Sequence, residues 1–161
     1  MDTAAATKKA ETETLKTNEK KWSKTLMDAG WNVIPNIIIE KQEALGLRPI
    51  DMNILVHLSH YWWSKEELPR PTVATIAKAI GVSKRTVQKH MSALEAANLL
   101  HREQRRHTQH GSIPNKYNFD GLIKAATPFA KEKIAEREKA KKDRQERVQR
   151  KRPRLVHSSE G

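Results

Sequence analysis

The 161-residue sequence predicts a mainly α-helical domain with one small β-hairpin, and three observations predict it. Apolar residues recur at helical spacing in two short neighbouring stretches, Val73 to Ile80 and Val87 to Leu94, with Gly81 between them. Two further stretches, Leu99 to Arg105 and Asn115 to Phe119, flank Gly111, Ser112 and Pro114, residues that favour turns. The ends of the chain are too polar to add to a core. Charged residues make up 31% of the sequence and hydrophobic ones 37%, and the mean hydropathy is −0.80. One compact domain with solvated extensions is the expected organisation.

Residues 1–21 contain Ala, Thr, Lys, Glu and Asn with a single Leu15, too little apolar surface to offset the entropy of ordering. They read as a disordered arm or a frayed helix. The domain is expected over residues 22–130. Trp22, Leu26 and Met27 suit a short amphipathic helix stopped by Gly30. Ile37 to Leu47 is read as a helix capped by Asn36, since Glu40 to Ala44 are good helix formers. Its role is packing against the rest of the domain, or a dimer contact shared with Trp22 and Trp31. Asp51 is expected to cap the next helix, whose stripe is Ile54, Leu55, Leu58, Tyr61 and Trp62. Adjacent Trp62 and Trp63 cannot share a face, so one should enter the core and the other stay exposed.

The central pair of helices is the most informative part. Thr72 follows Pro71 and can cap the first helix, because its hydroxyl can accept from an unpaired N–H of the first turn. Gly81 can end that helix in the left-handed conformation. Ser83 can cap the second, expected over residues 84–97. There Val87, Met91 and Leu94 share one face at about 100° per residue, while Arg85, Lys89 and Ser92 point nearly opposite. Two short helices joined by a glycine turn, the second apolar on one side and basic on the other, form a helix-turn-helix. Its apolar side fixes it to the body, and its basic side is free to enter a major groove. The following hairpin, residues 101–118, becomes a wing. Asp120 to Ala130 is read as a closing helix with Leu122, Ile123, Ala126 and Phe129 buried, which Pro128 could split. Residues 131–161 form a basic tail, helical or disordered, without a repeating heptad seam.

The run I-A-x-A-I-G-V-S-x-R-T-V-Q-x-H-x-x-x-L-E-x-A-x-L-L, from Ile76 to Leu100, resembles the winged-helix domains of bacterial transcription regulators and of plasmid or phage replication initiators. The resemblance covers roughly Ile34 to Phe119. It implies a winged helix-turn-helix that binds double-stranded DNA, commonly as a homodimer, since one recognition helix reads only a few base pairs.

Ten residues are the expected DNA contacts. Ser83 and Lys84 are placed for phosphate. Arg85, Thr86, Gln88 and Lys89 are placed for base edges, Arg85 suiting guanine and Gln88 adenine. Thr72 is placed for backbone. Arg105, Arg106 and Lys116 on the wing are placed for phosphate or minor groove. The formal charge of +12 and pI of about 10.0 favour a polyanionic partner. Most of that charge lies in the tail. Residues 131–154 contain twelve basic and five acidic residues, net +7, against ten and six, net +4, over residues 51–120.

No cysteine is present, which excludes disulfides, thiol nucleophiles and zinc–thiolate sites. His57 and His60, with His101, His107 and His110, raise a metal site, but no carboxylate cluster accompanies them. No glycine-rich phosphate loop, nucleophile elbow or acid–base pair suggests catalysis. No enzyme activity, cofactor, membrane span or small-molecule effector is expected, and the expected location is the cytoplasm, on the nucleoid. The main reading is a transcription regulator that binds specific DNA. The alternative is an origin-binding replication initiator or accessory factor of a plasmid or phage.

Overall fold

In the computed structural model, the backbone is described for residues 2–107 and 111–150, and side chains for residues 12–103 and 113–150. The order of elements is α1 (Asp2–Trp22), α2 (Lys24–Asp28), α3 (Asn36–Glu40), α4 (Pro49–His60), α5 (Val73–Ile80), α6 (Lys84–Ala96), β1 (His101–His107), β2 (Gly111–Asn118) and α7 (Asp120–Arg150). The chain is mainly helical, with one two-stranded antiparallel hairpin.

Helices α4, α5 and α6 pack on one another around Ile54, Leu58, Ile76, Val87 and Met91, all fully buried. Removing such a side chain from water stabilises the fold by about 1.5–3 kcal/mol. Leu99, Leu100, Tyr117, Phe119, Leu122 and Ala126 extend this core under the hairpin and the start of α7. Trp62 stacks on Phe119, with ring centroids 5.0 Å apart and planes within 6°. Its neighbour Trp63 is 81% exposed, so the two tryptophans divide as their adjacency requires.

Several local expectations are corrected. Asp51 is not the N-cap of α4. The helix begins at Pro49, and Asp51, in its first turn, accepts the Arg48 backbone N–H at 2.8 Å. Proline suits the start of a helix, where its missing N–H costs nothing. Helix α3 stops at Glu40 and turns follow to Gly46, so the expected helix to Leu47 is shorter; Pro35 rather than Asn36 occupies its N-cap. Helix α6 ends at Ala96, and Asn98 takes a left-handed φ of 55°. Strand β1 therefore starts at His101, two residues beyond Leu99. Gly111 and Pro114, expected in the turn, lie in β2, which pairs Ile113 with Arg105 across an irregularity between Glu103 and Arg105. A proline without an N–H is tolerated at such a break.

Pro128 does not split α7, which is continuous from Asp120 to Arg150. The closing helix and the beginning of the expected tail are thus one element. Residues 151–161 of that tail lie outside the described residues. The stretch expected as a disordered arm or frayed helix is helical as α1, and α2 is its main packing partner.

Candidate nucleic-acid interface

The geometry of α5 and α6 begins with their caps. Thr72 Oγ1 accepts the Thr75 backbone N–H at 3.0 Å, and Ser83 Oγ accepts that of Thr86 at 3.0 Å. Gly81 joins the helices with a φ of 71°, a left-handed conformation that an L side chain resists. The apolar residues of α6 then face the body: Val87 and Met91 are fully buried and Leu94 nearly so. Lys84, Arg85, Gln88, Lys89 and Ser92 are exposed on the other side. Burial thus decides which way the cations point.

One polar contact reinforces the orientation of α6 from within the core. His90 Nδ1 lies 2.6 Å from Asp51 Oδ1, and the two residues are 8% and 2% exposed. Asp51 Oδ2 also accepts from Arg48 Nε at 3.2 Å. Burial alone would raise the Asp51 carboxyl, but the hydrogen bonds from His90 and from the Arg48 backbone and side chain outweigh it and leave it below its ordinary value. This pair joins the first turn of α4 to the middle of α6. Sequence reasoning misses it: Asp51 reads as a helix cap, and 39 residues separate it from His90. The available signal was a histidine at position 90, between Val87 and Leu94 on the apolar side of α6.

The hairpin is tied to the same helix. The Arg102 guanidinium pairs with Glu95 Oε2, and the Arg102 backbone N–H donates to Glu95 Oε1 at 3.1 Å. The hydrogen bond from Arg102 holds the Glu95 carboxyl below its ordinary range. On the partner strand, the Tyr117 N–H donates to the Pro69 carbonyl at 2.9 Å. The base of the hairpin is thus held against both α6 and the segment leading into α5.

Of the ten expected contacts, Lys84, Arg85, Gln88 and Lys89 share the exposed face of α6. Thr86 lies at the edge of that face. It is half-buried, and its hydroxyl lies 2.8 Å from Ser83 Oγ, so both hydroxyls serve the helix cap. Thr72 is exposed but also engaged as a cap. It and half-buried Lys116 line a cleft of about 560 Å³ with Tyr61, Trp63, Arg70 and Glu67. The side chains of Arg105 and Arg106 lie outside the described residues, as do those of His107 and His110. His57 and His60 form a ring cluster with Tyr61, at centroid distances of 4.9–6.3 Å. Among the described residues, no group of three or more histidine, cysteine or acidic side chains could hold a metal ion. No described helix is long and apolar enough to cross a membrane.

These features define a small helical domain that presents one face of a capped, basic helix beside a hairpin. The chain belongs to the DnaD N-terminal domain family, whose model matches residues 34–141. The crystal structure of the N-terminal domain of DnaD protein from Geobacillus kaustophilus is similar to it, with a TM-score of 0.51 at 16% sequence identity. That match covers 71% of this chain and 93% of the other. A structure of disulfide-formed AbfR aligns over 92% of this chain and 99% of its own, at 12% identity and a TM-score of 0.38, too low to indicate a common fold. Comparison with curated proteins yields no match.

Proposed function

We propose that this chain is a DNA-binding domain that serves replication, with α5 and α6 acting as the helix-turn-helix and β1–β2 as the wing of a winged helix. The observation that carries this reading is the two-sidedness of α6. Val87, His90, Met91 and Leu94 are buried, whereas Lys84, Arg85, Gln88 and Lys89 face solvent. A helix held this way offers base-reading side chains to a major groove while its inner face keeps it from rotating. Membership of the DnaD N-terminal domain family supports replication over control of transcription, the reading that the sequence first favours. No catalytic step is assigned to the domain.

Self-association is part of the proposal. Trp22, Trp31 and Val33 are each more than half exposed, and a second copy of the chain would remove them from water. Sedimentation at micromolar concentration tests this: a purely monomeric protein would refute it.

DNA binding is tested by sequencing the genomic fragments that the protein retains at near-physiological salt. Clustered sites at a replication origin are expected. Sites scattered upstream of genes would restore the regulator. Arg85→Ala is expected to cost about 1–3 kcal/mol at such a site and to relax preference at one base position. Equal loss on cognate and random duplex would reduce Arg85 to a phosphate contact.

A further inference from the structure

Helix α7 holds a second ordered charge pattern, and it begins where the helix is packed. Leu122 and Ala126 are buried and Phe129 and Lys133 half-buried, which defines the side of the helix facing the domain. Lys133 pairs with Glu40 of α3, and the ammonium of Lys41 lies 5.7 Å from the centre of the Phe129 ring. The Lys133 hydrogen bond lowers the Glu40 carboxyl, with a smaller contribution from the charge of Arg137.

Carried forward at about 100° per residue, that side continues past the body of the domain. An arc about 120° wide contains Leu122, Ala126, Phe129 and Lys133, and then Arg137, Lys141, Arg144 and Arg147. All five acidic residues between 131 and 150, namely Glu132, Glu136, Glu138, Asp143 and Glu146, fall outside it. The ion pair Glu146–Arg150, at 3.7 Å, lies outside it as well. Among the described residues, no ion pair is formed by Arg137, Lys141, Arg144 or Arg147, and all four are exposed. A merely soluble charged helix would alternate its charges around the axis, as the remainder of this helix does.

We propose that this arc of α7 is a second binding surface for the phosphate backbone of duplex DNA, separate from α6. It rests on the reading of the domain as DNA-binding and adds an element to it. From Arg137 to Arg147 the cations rise about 15 Å along the helix axis. The cations stand about 4.5–6 Å apart along the helix, and duplex DNA carries about one negative charge per 1.7 Å of its axis, so phosphates are dense enough for each cation to reach one. The arc has no aromatic side chain beyond Phe129 to stack a base, and its hydrogen-bond donors are all cationic. It therefore binds without sequence preference. An acidic protein surface would find the same charges, but four cations over three turns with no acidic residue among them match a polyphosphate rail.

The test uses the full-length protein on random-sequence duplex, which keeps it independent of any specific site read by α6. Arg137→Gln, Lys141→Gln and Arg144→Gln combined remove three charges from the arc. Lys131→Gln, Lys139→Gln and Lys142→Gln combined remove three from the remainder of the same helix. Circular dichroism confirms that both triple variants keep their helix content. The dependence of log Kd on log salt is expected to flatten by about 2–3 for the arc variant. The control should change it by less than about 1. Equal flattening would show that α7 acts as an unordered polycation, and no change in either would free the arc for an acidic protein; both outcomes overturn the proposal. If random duplex is bound as expected but no genomic site is preferred, the role of α6 fails while that of α7 stands.

Discussion

Helices α6 and α7 are both basic on one side, and they hold that side in place by different means. In α6 the inner face is sealed along its whole length by Val87, Met91 and Leu94, with His90 bonded to Asp51. Rotation of α6 would bring lysines into the core, so its outer side chains have one direction. In α7 only the first turns are embedded. Lys133 is the last half-buried residue of the helix, and beyond it the helix is exposed and extends by its own hydrogen bonds. There, direction is inherited from the anchored turns through the stiffness of the helix. Cations of equal formal charge thus differ in how well they are aimed. The first set suits base edges, which demand fixed geometry, and the second suits phosphates, which demand only charge.

The comparison breaks first at its buried pair. Asp51→Ala should destabilise the protein by about 3–5 kcal/mol in denaturant unfolding, because it leaves His90 and the Arg48 N–H without their acceptor. A loss below 1 kcal/mol would show that packing alone orients α6. The effect has a pH signature. The Asp51 carboxyl sits below its ordinary value in the fold, so its contribution is full above the unfolded value of about 3.9. It is lost as pH falls through the lowered native value. Wild type should therefore lose stability more steeply than Asp51→Ala below about pH 4.

Next is the junction that sets α7 against the end of α6. A methyl group on Gly121 would lie 1.9 Å from the Asn98 carbonyl oxygen, a backbone atom that cannot swing aside. Gly121→Ala should cost about 3 kcal/mol and shift the start of α7. Gly81→Ala meets no atom within 4 Å and is opposed only by its φ of 71°, so about 1 kcal/mol is expected. Unfolding midpoints that reversed this order would contradict the packing at Gly121. Ser83→Ala, which removes the cap of α6, should also cost about 1 kcal/mol. The smallest effect belongs to the arc of α7. Arg144→Gln should change stability by less than about 0.5 kcal/mol, as expected of a residue exposed to solvent.

Local chemistry made α5 and α6 readable. Their apolar spacing, Thr72 and Ser83 as caps, and Gly81 as the turn all act within four residues, where periodicity and side-chain hydrogen bonding are strongest. The division of Trp62 from Trp63 was readable for the same reason. The hairpin was readable as an element but not in its bounds, since Gly111 and Pro114 signal a turn whether they stand at its tip or beside it. Good helix formers after Glu40 favour a longer α3, and only the turns that bring Leu45 and Leu47 into the core end it at Glu40.

What the sequence determined alone is the helix pair α5 and α6 with its glycine turn, the two-sidedness of α6 and the excess of positive charge. The first two depend on residues about a turn apart, and the charge on composition alone. Only the tertiary structure decided that Asp51 is buried against His90, that Arg102 fastens the hairpin to Glu95, and that Gly121 must pass Asn98 without a side chain. Each of these joins segments that no periodicity relates, and their energies arise from exclusion of water and close approach, which exist only once the chain has folded. The direction of the α7 charges belongs to both: the spacing was in the sequence, but the anchoring at Ala126, Phe129 and Glu40 gave that spacing a side to face.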